Sequence, residues 1–161
     1  MFHTQEQRQQ PLTAPMKSIR SEAWLGDGYY FWADEQDAYN WGRASKKSTG
    51  RFEIYLADID CSDILDTVFN EEHYRFWLRQ IEKTAKAFLK KTGHKPTIRE
   101  INQYFKERGQ WNEVSGILFQ DLPQSPNYLM VIAFYYKKRI QLVAFRLEIV
   151  CGFALKNSYP C

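Results

Sequence analysis

The residues best suited to chemistry follow a pair of glycines, in the segment GDGYYFW at positions 26–32. Gly26 and Gly28 suit a turn that requires a positive φ angle or a close approach of the backbone to its surroundings. Tyr29 to Ala33 predicts a strand, because aromatic residues favour a pleated, half-buried surface. Such a segment would hold aromatic rings beside an accessible backbone. They could bind the flat ring of a ligand, or they could pack as the edge of a hairpin.

Most other catalytic patterns are missing from the sequence. No glycine-rich loop ends in Lys-Ser or Lys-Thr, and the glycine pair lacks the third glycine and the βαβ context of a dinucleotide-binding fingerprint. No serine lies in a nucleophile elbow. His73 and His94 are not at metal-ligand spacing from cysteines or carboxylates, so no metal is expected. We expect His73 on the solvent side of a helix and His94 in a turn.

A third histidine stands at the start of the chain. Met1 to Gln5 predicts a short first strand, on which His3 would present its imidazole. The alternative is a frayed terminus, since terminal residues are poorly ordered unless the fold ties them down, and composition alone favours that alternative.

Two elements follow the aromatic segment. Asp34 can cap a helix, on which Ala38 and Trp41 form an apolar pair three residues apart. Arg51 to Ile59 alternates between two faces and predicts a half-buried strand. Its apolar side comprises Phe52, Ile54 and Leu56, and its other side Arg51, Glu53 and Tyr55. Residues 61–68 continue as an irregular apolar segment.

The strongest helix signals lie in the middle of the chain. A first helix begins after Asn70, a good N-cap, and ends at Gly93, which suits the left-handed residue that follows a helix. Its apolar stripe is Tyr74, Trp77, Leu78, Ile81, Ala85, Phe88 and Leu89. Thr97 and Glu100 form a capping box that begins a second helix, which Gly109 ends.

Three later segments predict strands: Gly116 to Asp121, Tyr128 to Tyr135, and Arg139 to Val150. Prolines separate the first two of these segments, and two lysines form a turn before the third. The complete pattern predicts an α+β fold, because its strands do not alternate regularly with helices.

Composition limits the class of protein. The chain has 161 residues, 44% of them hydrophobic, which is enough for one domain with a substantial core and too apolar for disorder. Its 22 basic and 19 acidic residues leave a net charge of +3, too small to indicate nucleic-acid binding by itself. No apolar run has the length of a membrane span, so no membrane partner is expected. Three widely spaced cysteines favour a reducing, cytoplasmic setting.

The segment from Gly26 to Trp32 resembles the Gly-x-Gly-x-Tyr-Phe motif of the ADP-ribosyltransferase superfamily, on the side of the poly(ADP-ribose) polymerases and diphtheria toxin. The resemblance implies a single domain over residues 1–161, built as a split, bent antiparallel β-sheet pair around a cleft that holds NAD in a folded conformation. The residues from about 70 to 109 would be a helical insertion into this fold.

The resemblance also implies which residues would bind NAD. His3 matches the first-strand histidine that hydrogen-bonds the adenosine ribose. Thr4 stands beside it, where the family usually has a glycine close to the nicotinamide amide. Tyr30 matches the tyrosine that stacks on the nicotinamide ring. The remaining NAD-binding residues would be Gly28 and, as a second aromatic wall, Tyr29 or Trp32.

The third catalytic position of the family is a glutamate on a late strand, and its best match here is Gln141. A carboxylate there binds the nicotinamide-ribose hydroxyl and stabilises the oxocarbenium-like transition state as nicotinamide leaves. A glutamine can hydrogen-bond the same hydroxyl but carries no charge and cannot act as a base. Glu53 or Glu148 could supply the missing carboxylate, although no pattern in the sequence places either one. Strand alternation predicts that Gln141 points into the cleft, opposite Tyr30.

The resemblance therefore implies an NAD-dependent ADP-ribosyltransferase with His3, Tyr30 and Gln141 as its catalytic residues and no metal. Its acceptor would be a protein or a nucleic acid, in a toxin, effector or defence role in which a cognate inhibitor protein is a further partner. Because Gln141 replaces the glutamate, a second hypothesis is the same fold without turnover, acting as a nucleotide-binding or interaction module.

The cations of the two central helices leave a third hypothesis open. They could form a solvated face, which explains most such runs, or a surface that contacts the phosphate backbone of a nucleic acid. These cations include Lys83, Lys86, Lys90, Lys91, Lys95 and Arg99.

Overall fold

The structure is a computed structural model that describes residues 1–21, 23–46, 48–109, 111–121 and 138–161. Within these ranges the chain is a mixed α+β protein, as expected. Its elements are β1 (Phe2–Glu6), β2 (Tyr29–Trp32), α1 (Glu35–Ser45), β3 (Arg51–Ile59), β4 (Ile64–Asp66), α2 (Glu71–Thr92), α3 (Ile98–Glu107), β5 (Gly116–Asp121), β6 (Arg139–Ala144) and β7 (Val150–Pro160). The strand predicted from Tyr128 to Tyr135 lies outside the described residues. None of the described helices combines the length and the apolar character that a membrane span requires.

The described strands form one seven-stranded sheet in the order β4-β5-β6-β2-β1-β3-β7. Neighbouring strands are antiparallel except β4 and β5, which are parallel. The described strands therefore form a single mixed sheet, whereas a pair of antiparallel sheets was expected. The reason is that α2 and α3 connect β4 to β5, and a connection of that length allows two neighbouring strands to run in the same direction.

The ladder between β1 and β2 is very short. A single pair, Phe2 with Trp32, joins the two strands. On its other side β1 pairs with β3 over five positions, and β2 pairs with β6 over four. The sheet is consequently open between β1 and β2 beyond that pair, at the point where Tyr30 and His3 lie.

The local signals for the helices are confirmed. The Asn70 side chain accepts hydrogen bonds from two backbone N–H groups of the first turn of α2, and Gly93 follows that helix with a left-handed φ of 78°. Thr97 and Glu100 form the predicted capping box of α3. Asp34 caps α1 by accepting from the backbone N–H of Gln36. These signals are local because each depends on residues only two to four positions apart.

Three expectations about the strands and His73 are wrong. The segment from 139 to 150 is not one strand, because β6 ends at Ala144 and a 3₁₀ turn precedes β7. Residues 61–68 contain β4 and are not wholly irregular. The imidazole of His73 is half-buried and contacts the end of β4, because its Nδ1 accepts a hydrogen bond from the backbone N–H of Asp66 at 3.1 Å.

The strand β3 is buried on both faces at its centre, which its alternation did not predict. Glu53 and Tyr55 are buried, whereas Leu56 is 42% exposed. The ring of Tyr55 stacks on Phe153 of β7 at 4.7 Å between centroids, and its hydroxyl donates to the Glu53 carboxylate. The pairing with β7 shifts register on both sides of Leu56, which ends the regular alternation there.

Both helical layers cover the same face of the sheet. Trp32 pairs with Gln141, and Val143 lies two residues further along β6, so all three point to the same side. Helix α1 packs on Trp32 in a cluster with Ala38, Phe52 and Ile54. Helices α2 and α3 pack on Val143 in a second cluster, which also contains Leu25, Leu65, Trp77, Ile101, Phe105, Trp111 and Ile117. Between these two helical layers the described residues leave part of the face of the sheet uncovered.

Candidate functional site

A cavity of about 400 Å³ occupies the open part of that face. Its floor is formed by residues of β1, β2 and β6. Its walls are formed by the end of α1 and by residues 16–20, 23 and 24, which precede β2. The described residues that line it are His3, Thr4, Gln5, Met16, Lys17, Ser18, Ile19, Arg20, Ala23, Trp24, Tyr30, Trp32, Trp41, Ser45, Lys46, Asp121, Arg139 and Gln141.

Five of the seven site residues expected from the sequence line this one cavity. They are His3, Thr4, Tyr30, Trp32 and Gln141, although they come from three strands that are far apart in the chain. Gly28 and Tyr29 are not among the described residues that line it. Tyr29 packs on the opposite face of the sheet, beside the cluster that contains Phe31. Since neighbouring residues of a strand alternate, Trp32 and not Tyr29 is the second aromatic wall beside Tyr30.

The two glycines of the motif have different roles in building the site. Gly26 has a φ of +97°, so the turn before β2 uses the backbone freedom of glycine. A Cβ atom added to Gly28 would lie 2.4 Å from Val143 Cγ2 and 2.7 Å from the carbonyl oxygen of Ala144. Gly28 therefore allows the start of β2 to approach β6 closely. It does not line the cavity, but it helps to fix the position of the strand that carries Tyr30 and Trp32.

His3 is buried and not part of a frayed terminus. Its Nδ1–H donates to the carbonyl oxygen of Tyr30 at 2.9 Å, across the opening between β1 and β2. Its Nε2 is buried and has no hydrogen-bond partner among the described residues. The ring lies 5.5 Å from Phe31 and 5.9 Å from Phe153 between centroids. Burial lowers the pKa of His3 to about 4, so the imidazole is neutral at neutral pH.

The buried imidazole makes a testable contribution to the pH dependence of stability. The folded-state pKa lies below the ordinary 6.5, so the unfolded chain binds the His3 proton first as pH falls. We expect the His3 contribution to be fully present above pH 6.5 and to be lost progressively between pH 6.5 and about 4, by roughly 3 kcal/mol in total. Denaturant unfolding of the wild type and of His3→Asn at several pH values measures it. Equal pH dependence in both proteins would contradict a neutral buried His3.

Thr4 and Tyr30 are held by hydrogen bonds to the surrounding backbone. The Thr4 hydroxyl donates to the carbonyl oxygen of Ala38 at 2.9 Å, which ties β1 to α1. The Tyr30 hydroxyl donates to the carbonyl oxygen of Gly26 at 2.6 Å, and burial raises the pKa of Tyr30 above its ordinary value. The Tyr30 ring is thereby fixed in the cavity as a neutral, flat surface.

Gln141 lies beside Tyr30 on the neighbouring strand and not opposite it, because its direct partner on β2 is Trp32. The Gln141 side chain is 6% exposed. Its Oε1 accepts a hydrogen bond from Trp24 Nε1 at 3.2 Å. No described residue accepts a hydrogen bond from its Nε2, so both amide N–H groups are available to a ligand.

Sequence reasoning missed the other described lining residues, among them Trp24, Trp41, Lys46, Asp121 and Arg139. Arg139 precedes Gln141 by two positions on the same strand, so its face could have been inferred from alternation. Its guanidinium forms an ion pair with Asp121 at 2.5 Å and lies 5.1 Å from the centre of the Trp32 ring. Burial raises the pKa of Asp121, although the charge of Arg139 opposes that change.

Neither glutamate considered as a substitute carboxylate lines the cavity. Glu53 is buried on β3, where its Oε2 accepts a hydrogen bond from the Tyr55 hydroxyl at 2.5 Å. Glu148 is exposed in the 3₁₀ turn before β7. Among the described lining residues the carboxylate is that of Asp121, and its charge is balanced by Arg139.

Two of the cations of the central helices are paired in the structure, whereas Lys83, Lys90, Lys91 and Lys95 lie exposed on the surface. Lys86 pairs with Glu82 at 3.5 Å on the surface of α2. The guanidinium of Arg99 donates to the carbonyl oxygens of Arg20 and Ala23 and binds the carboxylate of Asp27 at 2.7 Å. Arg99 is therefore a structural residue that attaches α3 to the loop before β2.

The arrangement can bind a flat ring against Tyr30 and Trp32, donate hydrogen bonds from Gln141, and attract a negative charge to the cations of its wall. Comparison of the chain with protein-family models, with curated proteins and with solved structures found no match. The chemistry of the cavity is therefore the basis on which a function is assigned.

Proposed function

We propose that this protein binds NAD in the cavity and transfers ADP-ribose from it to a macromolecular acceptor, as ADP-ribosyltransferases do. The observation that carries the proposal is that His3, Tyr30 and Gln141, on β1, β2 and β6, line the same cavity. The opening of the sheet between β1 and β2 agrees with the split sheet of that family. A cellular role as a toxin, effector or defence protein belongs to the same proposal.

The cavity is suited to a dinucleotide in size and in chemistry. Its volume of about 400 Å³ lies within the range of roughly 300–1,000 Å³ that small-molecule sites have. Tyr30 and Trp32 offer flat apolar surfaces to a nicotinamide or adenine ring. The amide of Gln141 offers an uncharged hydrogen-bonding group, which suits a hydroxyl of a ribose. His3 donates its Nδ1–H to the backbone of Tyr30 and so holds β2 beside β1.

Bound NAD would supply the glycosidic bond that breaks, with nicotinamide leaving with the bonding electron pair and a nucleophile of the acceptor taking its place. Gln141 would donate an amide N–H to a hydroxyl of the nicotinamide ribose and so orient the sugar. Because Gln141 carries no charge, it stabilises developing positive charge less than a glutamate does and cannot take a proton from the acceptor. We therefore expect slow turnover on a generic acceptor such as water.

The proposal is tested by titrating the purified protein with NAD while its tryptophan fluorescence is recorded. Trp24, Trp32 and Trp41 line the cavity, so binding should change the emission. Release of nicotinamide, followed chromatographically, then reports turnover. A protein that shows neither saturable binding of NAD nor release of nicotinamide would refute the proposal.

Tyr30 allows a sharper test of how the ring is bound. We expect Tyr30→Ala to weaken NAD binding by about 1–2 kcal/mol, because the variant loses a stacking surface. Tyr30→Phe is the matched control: it keeps the ring and loses only the hydrogen bond to Gly26. It should bind NAD nearly as tightly as the wild type. Equal affinities for all three proteins, each checked for folding by circular dichroism, would show that Tyr30 does not contact the ligand.

One observation favours a second candidate, a nucleotide-binding module without turnover. Gln141 is neutral, and its Oε1 is already engaged by Trp24. A site in which the third residue fixes a wall of the cavity could bind a nucleotide without cleaving it. Binding of NAD without release of nicotinamide would indicate this candidate.

A further inference from the structure

The wall of the cavity contains a lysine whose side chain is largely buried and whose ammonium has no hydrogen-bond or ion-pair partner among the described residues. Lys46 follows the last residue of α1 and is 7% exposed. No described residue forms a hydrogen bond or an ion pair with its side chain, although its backbone is bonded. Burial lowers the pKa of Lys46, the neighbouring charge of Arg20 lowers it further, and the carboxylate of Glu6 opposes these effects. The ammonium nitrogen is not among the enclosed polar atoms, and Lys46 lines the cavity, so an anion that enters the cavity can bind it.

The charge of the cavity indicates what that partner is. Four cations line the described part of the cavity, at Lys17, Arg20, Lys46 and Arg139, against one carboxylate, at Asp121. Asp121 already binds Arg139, and His3 is neutral. Among the described lining residues, cations therefore outnumber carboxylates, and Lys46 is the cation whose ammonium has no described ion-pair partner within the cavity. A concave wall of one sign concentrates the field and attracts a ligand of the opposite sign.

We propose that Lys46 forms a subsite for the pyrophosphate of the dinucleotide, with Arg20 adding to the local positive charge. The inference rests on the proposed function, because it assigns the phosphate end of the same ligand. A lysine is suited to this role, since its ammonium is a compact charge that can bind either phosphate oxygen without a fixed geometry. The pyrophosphate would supply an anion in direct contact with the Lys46 ammonium, which no described residue provides.

This subsite gives the cavity a preference among fragments of NAD. ADP-ribose contains the pyrophosphate and should depend on Lys46. Adenosine contains the same base and sugar without a phosphate and should not. Salt should weaken the binding of ADP-ribose more than that of adenosine, because only the former binds through a charge.

The experiment compares the affinities of NAD, ADP-ribose and adenosine for the wild type and three variants. Lys46→Gln removes the charge at similar length, and Lys46→Arg keeps it. Lys90→Gln, on the exposed surface of α2, is the matched control for loss of one positive charge. We expect Lys46→Gln to weaken the binding of NAD and of ADP-ribose by about 10-fold or more and to leave the affinity for adenosine unchanged. Lys46→Arg and Lys90→Gln should bind all three as the wild type does.

Stability separates binding from a structural role. Removing a buried, unpaired charge should leave the unfolding midpoint of Lys46→Gln without ligand equal to that of the wild type or raise it. A large fall would indicate a structural contact and would overturn the inference. If Lys46→Gln binds ADP-ribose as tightly as the wild type does, the inference is also overturned, but the proposed function is not affected.

If the wild type binds neither NAD nor ADP-ribose, the proposed function fails together with the subsite. Lys46-dependent binding without release of nicotinamide supports the subsite and refutes the transfer reaction.

Discussion

Phe105→Ala is expected to lower the free energy of unfolding by about 3–5 kcal/mol, the usual range for removing a buried phenylalanine ring from a core. Phe105 is 1% exposed, and its ring meets Trp111 edge-on at 4.7 Å between centroids. Both residues belong to the cluster that joins α2 and α3 to β5 and β6. Denaturant titration at neutral pH, followed by circular dichroism, measures the change.

The neighbouring residue provides the matched control. Tyr104 lies on the same helix and is 38% exposed. Tyr104→Ala should lower the free energy of unfolding by less than about 1 kcal/mol, because solvent already covers much of the ring. If Phe105→Ala lowers the free energy of unfolding no more than Tyr104→Ala does, the two helices do not contribute to the core of the domain. A much larger loss for Phe105→Ala would show that they do.

The attachment of α3 matters for the cavity as well as for stability. Asn102 Nδ2 donates to the carbonyl oxygen of Leu25 at 3.0 Å, and Lys106 Nζ donates to that of Asp27 at 2.9 Å. These bonds hold the loop that contains Trp24, whose indole N–H binds Gln141. The insertion therefore positions a wall of the site, and its cations at Arg99 and Lys106 are occupied in doing so. The hypothesis of a nucleic-acid contact therefore depends on the exposed cations of α2 and its C-terminal loop, and not on Arg99.

Much of the fold could be predicted because its signals are local. The bounds of β3, the N-cap at Asn70, the left-handed Gly93 and the capping box of α3 each depend on a few consecutive residues. The grouping of His3, Tyr30 and Gln141 came instead from a resemblance. Periodicity within single strands could not reveal which strands are neighbours.

What the sequence could not provide is the register between distant segments. The pairing of Trp32 with Gln141 decides that Tyr30 is beside the glutamine and not opposite it. Asp121 and Arg139 are neighbours in the β5–β6 register, so their side chains form an ion pair in the cavity wall. The carboxylate of the cavity is therefore that of Asp121 and not that of Glu53 or Glu148. Lys46 gave no signal at all, because a lysine after a helix is ordinary until its burial is known. These are properties of tertiary packing.

The largest expected effect on activity is that of Gln141→Ala, which should reduce nicotinamide release by roughly 100-fold or more, as loss of one transition-state hydrogen-bond donor does. The substitution removes both the available amide N–H groups and the acceptor for Trp24 Nε1. Nicotinamide release from NAD, measured for the wild type, Gln141→Ala and Gln141→Glu, tests this expectation. Gln103→Ala, on the exposed side of α3, is the matched control and should behave as the wild type.

The glutamate variant decides between the two candidate functions. Gln141→Glu can still accept the hydrogen bond from Trp24, but it gains a charge two positions from Arg139 on the same face of the sheet. An active wild type with an inactive, folded Gln141→Ala would mean that the glutamine has taken over the role of a glutamate. Turnover by Gln141→Glu alone would make the natural protein a binding module on the fold of an enzyme. If none of the three proteins binds NAD, the resemblance of the sequence to ADP-ribosyltransferases does not extend to ligand binding, because a site that retains Tyr30 and His3 should still bind the ligand whichever residue occupies position 141.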